Sequence, residues 1–421
     1  MANRVRFPAA VLFFLAGIFV AGAGGRGETV SGATEPFADR YAAMAWDDIV
    51  AEARGSDLYW YMWGGSDSIN TFVQEYVADR LAAEYEIRLE MVPVTDASVY
   101  VSKVLGERHA GRMRGASVDL VWINGENFRS MRESGLLFGP YAHLLPNIRY
   151  VDTDDPTIAY DFGFAVDGYE SPYGSAQMVM IYDEARVPAP PPTIDALLDW
   201  IREHPGRFTY PAPPDFTGSA FVRHLFYHAA GGYERLLGPF DADLFDSVAP
   251  AAWELMNGIE PYLWRGGRTY PETSTLQQSL FANREVDFDM SYNPGSAANL
   301  IAQGRYPESA RTFVFEDGTI GNTHFVAIPF NASHKAAAMV AANLLLDPAT
   351  QFEKAQPAVW GDVPVVDMTK LPPEWRTRFD GLPRPPSMLP ADTLQAHRIP
   401  ELRSTWLEAI ERGWDRYVLQ R

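Results

Sequence analysis

The sequence predicts an α/β fold built on a parallel sheet, and three short apolar runs predict it. The runs cover residues 58–63, 87–94 and 118–124, each too short for a helix and each closed by glycine or small polar residues. Helical patterns separate them. Ile69, Phe72, Val73, Tyr76, Val77 and Leu81 recur at 3.6-residue spacing, and residues 97–109 read as a second helix. An order of strand, helix, strand, helix, strand implies right-handed crossovers and strands that run the same way.

The third run reads as a strand buried on both faces, opened by Asp119 and closed by Asn124-Gly125. Its polar groups therefore sit at the carboxyl end. Open α/β sheets bind ligands at that edge, because the loops there leave a crevice and the following helices aim their N-termini into it. Asn124, Glu126 and Asn127 are placed to touch something small. Read as local structure alone, Asn124-Gly125 is a turn and Glu126-Asn127 cap the next helix. The run at 58–63 ends in Gly64-Gly65, with Ser66, Asp67 and Ser68 as cap residues on the same edge.

A chain of 421 residues makes two or three domains, or one large two-lobed body. Apolar residues at 47% and aromatics at 13% supply a large core. The net charge of −19 argues against nucleic acid and anionic membranes as partners, since phosphate binding needs clustered Lys and Arg. A cationic or neutral ligand fits better. There is no cysteine, which excludes disulfides, zinc–thiolate sites, cysteine nucleophiles and a lipidated cysteine. At the N-terminus, Arg4 and Arg6 precede an apolar segment at 8–20 and the small residues Ala21-Gly22-Ala23. This pattern predicts a secretory signal peptide at 1–23, removed after about Ala23, and a periplasmic protein. A retained membrane anchor is the alternative, although the run is shorter than the roughly 20 residues a span needs.

Further along, Asp152, Asp154 and Asp155 resemble the start of a calcium loop, but Pro156 interrupts it and the later ligand positions do not match, so an acidic turn is expected. Residues 175–182 read as a strand ending at Asp183, and Thr193 caps a helix bearing Ile194, Leu197, Leu198 and Ile201. A strand at 208–211 leads through 213–219 into a helix with Phe221, Val222, Leu225 and Phe226 on its buried stripe. The amides at its start, near Thr217 and Ser219, are expected to be free for a polar ligand group. His224 and His228 lie four apart on that helix. This is a zinc-compatible spacing without a third ligand nearby, so packing or surface roles are expected. Residues 286–292 read as a strand that ends in Asn293-Pro294-Gly295-Ser296. Residues 311–329 read as two strands joined in a hairpin at Asp317-Gly318. Asn331-Ala332-Ser333-His334-Lys335 caps a helix at 336–346, stopped by Asp347-Pro348.

The stretch from Phe325 to Gln351, with its Asn-x-Ser-His-Lys cap, alanine-rich helix and Leu-Leu-Leu-Asp-Pro-x-x-Gln run, resembles the extracellular solute-binding proteins of bacterial ABC importers. Trp360-Gly361-Asp362-Val363-Pro364-Val365 is similar to a cleft-facing loop of that family. The segments at 59–65 and 119–128 resemble its YnjB-like subgroup. The order of these motifs spans nearly the whole mature chain.

The resemblance implies the type II periplasmic-binding-protein fold: two lobes, each a mostly parallel sheet flanked by helices, joined by crossing hinge strands. Lobe 1 is expected at 55–173 and 293–333, and lobe 2 at 174–292 and 334–421, after a leader and N-terminal helix at 24–54. Hinge crossings are expected at 173–182 and 291–296. The implied function is capture of a small ligand between the lobes by a monomer and delivery to an ABC permease and its ATPase, with no catalysis and no cofactor. The ligand-binding residues expected are Trp63, Gly64, Gly65, Asn124, Glu126, Asn127, Tyr182, Thr217, Ser219, Tyr292, Asn293, Ser296, Trp360 and Asp362. Gly65, Glu126 and Asn293 are expected to face one gap. Aromatic faces with a few acids favour an organic cation, thiamine-like in size and charge. Two alternatives are a secreted glycan hydrolase, for which Glu126 and Asp183 are the nominated carboxylates, and a ferric-ion-binding protein, for which Tyr59 and Tyr61 are the paired tyrosines.

Overall fold

The computed structural model describes residues 40–420. The expected signal peptide at 1–23 and the start of the leader lie outside the described residues. Strand β1 (Asp57–Trp63) alternates, with Leu58, Trp60 and Met62 buried and Tyr59 and Trp63 exposed. It pairs in parallel with β2 (Arg88–Val94) on one side and β3 (Leu120–Ile123) on the other. The helical run from Asp67 to Tyr85 and the helix Ser98–His109 make the crossovers. The βαβαβ unit therefore forms as its hydrophobic pattern dictates.

Asp119, at the start of β3, is fully buried. It accepts hydrogen bonds from the Tyr59 N–H (3.2 Å), the His334 N–H (2.9 Å) and the His334 ring (3.1 Å). One carboxylate thus ties two strands to the cap of the helix Lys335–Leu345.

After the two-residue strand β4 (Leu137–Phe138) and the hairpin of β5 (Tyr160–Asp161) and β6 (Phe164–Ala165), the chain enters β7 (Glu170–Gln177), which is buried along its whole length. β7 runs antiparallel to β11 (Thr319–Pro329), which also lies antiparallel to β3. With the short β12 (Arg398–Ile399), the large sheet has the order β12-β11-β3-β1-β2. A second sheet of three strands, β10 (Ala310–Phe313), β8 (Val179–Asp183) and β9 (Phe288–Ser291), is antiparallel throughout. Helices flank both sheets, and four separate sets of buried side chains pack on them among the described residues. The α/β class stands, while strand direction in the smaller sheet differs from the parallel order expected there.

Core packing divides the chain elsewhere than at the expected boundaries. The alanine-rich helix Lys335–Leu345, Trp360 and Val365 share a core with Leu58 and Trp60, so they belong to lobe 1. Phe313 and Phe315 pack with the helices Ile194–Glu203 and Phe216–Ala230, and Ala297 and Leu300 with Ile181, so residues 293–315 belong to lobe 2.

Three crossings join the lobes: Met178 between β7 and β8, residues 314–318 between β10 and β11, and 400–403 after β12. They lie side by side, since the Met178 N–H donates to Ile320 C=O (2.7 Å) and the Thr319 N–H to His397 C=O (2.7 Å). The first falls inside the expected 173–182. Residues 291–296 instead lead into the helix Ser296–Ala302 of the same lobe. Asp317-Gly318 makes no hairpin, because β10 and β11 belong to different sheets and the Asp317 carboxylate is engaged by the Ile194 N–H (2.8 Å). Residues 208–211 are buried but form no strand.

Candidate functional site

The seam between the lobes begins at the N-terminus of the helix Gly125–Glu133. Gly125 adopts φ +60° and donates its N–H to Asp161 of the β5–β6 hairpin (2.6 Å). The ring of Phe162 covers Gly125, and a Cβ there would press on it at 3.2 Å. Phe162 itself sits at φ +44°, a costly conformation for an aromatic residue. It reaches lobe 2, with its ring centre 6.0 Å from that of Phe216 and 5.8 Å from the Arg223 guanidinium carbon. Phe216 in turn packs 4.6 Å from Tyr292.

Arg223 is fully buried and organises the lobe 2 side. It donates to Ser219 Oγ (2.7 Å) and Tyr292 Oη (3.0 Å), and pairs with Glu401 (3.2 Å). Tyr292 donates to Glu401 (2.7 Å), and Ser219 donates to Glu411 (2.6 Å). Burial pushes the carboxyl groups of Glu126, Asp161, Glu401 and Glu411 upward, Glu126 to about 7, with neighbouring acids adding to the rise in Glu126. Glu126, Glu401 and Glu411 are thus gathered around one buried guanidinium, with Asp161 beside Glu126 and Glu401.

Two cavities lie along the seam. The larger, of about 260 Å³, is lined by Tyr160, Asp161, Phe162, Phe325, Glu401 and Arg403 among others. The smaller, of about 30 Å³, lies between Gly65, Ser66 and Asp67 of lobe 1 and Gln278, Asn293 and Ser296 of lobe 2. That is room for about one water. Its rim is closed by Thr275 Oγ1 donating to Gly65 C=O (3.5 Å), and Asp67 lies 3.9 Å from Arg305. Elsewhere on the seam Arg129 pairs with Glu408 (2.7 Å).

The structure distributes the expected site residues among several places. Gly65, Asn293 and Ser296 share the small cavity. Glu126 lies instead on the electrostatic side of the seam with Ser219 and Tyr292, and Asn127 donates to Glu126 (3.0 Å). Asn124 donates its side-chain amide to Thr323 C=O (2.6 Å) and so braces β11. The Thr217 and Gly218 amides are occupied by Asp215 (3.0 and 3.1 Å), so that helix start is capped by its own chain rather than free. Trp63 is exposed and its indole lies over Gly65, while Gly64 packs on Pro93.

Tyr182 packs edge-on to Phe313, 5.6 Å away, near the end of β8 remote from the crossing. Trp360 is buried among Phe72, Trp122, Tyr173 and His324. Asp362 is buried against Lys354 (2.8 Å) and His324 (3.3 Å), and both sit beside Gly174 of β7, where a Cβ would strike them. Asp183 accepts from Ser309 (2.6 Å) within the lobe 2 sheet, away from Glu126. The two ring nitrogens of His224 are engaged by Ala220 C=O (2.8 Å) and the Ile320 N–H (3.1 Å), and burial lowers its pKa to about 4.

The family model for bacterial extracellular solute-binding proteins matches residues 76–378. The chain belongs to this family. It is 39% identical over 372 residues to Protein YnjB of Escherichia coli strain K12, covering 88% of this chain and 93% of that protein. Two solved structures share the fold. One is the spermidine/putrescine ABC transporter substrate-binding protein PotD from Streptococcus pneumoniae (TM-score 0.60, 14% identity, 86% of this chain and 98% of that one). The other is described as a periplasmic thiamin binding protein (TM-score 0.55, 19% identity, 86% and 96%). Both share the two-lobed fold.

Arg223, Glu401, Glu411, Asp161 and Phe162 were not among the residues the sequence singled out. A signal existed for Arg223: a charge between Val222 and His224 on an otherwise apolar helix must find a buried partner.

Proposed function

We propose that this protein is the periplasmic receptor of an ABC importer, closing on a small organic cation and presenting the closed form to a membrane permease. It binds without turnover. The observation that supports a cation is the crowding of acids in the seam: Glu126, Glu401 and Glu411 surround the buried Arg223 guanidinium, and Asp161 lies beside Glu126 and Glu401. A positively charged ligand would let these acids ionise, so binding and carboxylate charge reinforce each other. Phe162, Phe216 and Tyr292 offer aromatic faces, each cation–π contact contributing roughly 0.5–2 kcal/mol. Contacts shared between lobes are complete only when the seam is shut, so ligand shifts the population toward the closed form. Thiamine-like cations are the preferred candidates.

The test is a thermal-shift and calorimetry panel on the mature chain with thiamine, its phosphates, spermidine, putrescine, choline, neutral sugars and ferric ion. Cations are expected to raise the melting point and sugars to leave it unchanged. A response confined to neutral sugars or to ferric ion would remove the reading.

A further inference from the structure

We propose that the 260 Å³ cavity selects a bipolar solute, a molecule with an ammonium group at one end and a carboxylate or phosphate at the other. The inference rests on the cation-capture reading and narrows it. Both poles are present on the cavity wall. The negative pole is Asp161, whose carboxylate accepts the Gly125 N–H and has no cationic partner among the described residues. Tyr160 and Phe162 stand on either side of it in sequence and line the same space. Glu401 also lines the cavity, but Arg223 and Tyr292 already engage it, which leaves Asp161 as the carboxylate open to an incoming ammonium group.

The positive pole is Arg403. Its side chain is exposed, and its guanidinium makes no hydrogen bond or ion pair with any described residue. Gly163 adopts φ +69°, and a Cβ there would come within 2.6 Å of Arg403 Cγ, so the glycine leaves room for the arginine to lie across the hairpin. Glu401 and Arg403 flank Leu402, which is fully buried. Both charged side chains line the cavity. A bare amine would satisfy Asp161 and leave Arg403 unpaired. A bipolar molecule completes both, and a guanidinium holds a carboxylate or a phosphate with paired hydrogen bonds.

Calorimetry with the mature chain tests this, using ω-amino carboxylates of three to six carbons, the matching ω-aminoalkyl phosphates, and primary amines and carboxylic acids of the same lengths. At least one bipolar compound is expected to bind about tenfold or more tightly than its matched amine. Arg403→Ala should erase that preference while leaving amine affinity within about twofold, and Arg403→Lys should restore part of it. Circular dichroism and melting of each variant report folding, and Arg403→Gln provides a second neutral replacement. The carboxylate and phosphate series identify which anion is read. Amines that bind as tightly as their bipolar partners overturn the inference alone, as does an Arg403→Ala variant that weakens both classes equally. Failure of every amine and every bipolar compound to bind overturns the cation reading as well.

Discussion

Replacing Glu126 by glutamine should make the empty protein more stable and the receptor weaker, and the pH dependence of each effect follows from where Glu126 sits. Burial raises its carboxyl from the ordinary 4.5 to about 7. A displacement of that size corresponds to roughly 3 kcal/mol between the charged and neutral forms, and the partial exposure of the side chain reduces this to about 2 kcal/mol. Because the folded-state value lies above the unfolded one, the folded protein binds the proton more tightly. The corresponding stability is complete below about pH 4.5 and is lost as pH rises through about 7. Glutamine stays neutral throughout. Urea unfolding at pH 5 should therefore give similar stabilities for wild type and Glu126→Gln, while at pH 8.5 the variant should be about 2 kcal/mol more stable. In the same variant the affinity for a cationic ligand should fall about tenfold or more at pH 8.5, and the wild-type affinity should decline as pH drops below 7 because binding must then release a proton. Parallel stability curves for the two proteins between pH 5 and 8.5 would refute the buried-acid account of Glu126. A stability difference without any loss of affinity would remove it from the ligand's surroundings.

Other residues make separate predictions. Trp360→Ala should cost about 3–5 kcal/mol in urea unfolding, since its ring is enclosed by Phe72, Trp122 and Tyr173; a loss under 1 kcal/mol would contradict that packing. Lys354→Met should cost about 3–5 kcal/mol by leaving Asp362 buried with only the His324 ring beside it, and Lys354→Met with Asp362→Leu should recover most of it. No recovery in the double variant would mean the pair does more than neutralise itself. Burial raises the Asp362 carboxyl, but Lys354 and His324 bring it below its ordinary value, so its contribution should be present at neutral pH and fade only as pH falls below about 4. Arg129→Ala removes a half-exposed pair worth at most about 1 kcal/mol, and its readout is shape: small-angle scattering without ligand should show a larger radius of gyration than wild type. An unchanged profile would show that this pair does not hold the lobes together.

The parts of the fold written in local patterns were legible from the sequence. Period 3.6 at Ile69–Leu81 and short apolar runs at 58–63 and 118–124 specify their elements without help from distant residues, and the Asp347-Pro348 stop falls where the helix ends. The less legible parts are those where one local pattern serves two tertiary arrangements. Asp317-Gly318 has turn chemistry, and nothing nearby in sequence reveals that its flanking strands enter different sheets. Trp360 and Asp362 carry ligand-like side chains, yet their partners Lys354, His324 and Gly174 come from three other segments. The seam was legible only in part for the same reason. Ser219, Tyr292 and Glu126 stood at expected strand or helix ends, whereas Glu401 and Glu411 lie far along the chain and join Arg223 only through the fold.

The three crossings between the lobes have a mechanical consequence. Hydrogen bonds from Met178 to Ile320 and from Thr319 to His397 bring them to one place, and pivots gathered in this way define one axle rather than a ball joint. Motion about such an axle would have a single soft direction, so the bulk of an enclosed solute would become one number, the angle at which the two halves come to rest. A permease that measures that angle would distinguish a well-fitted cargo from an oversized one without touching the cargo at all.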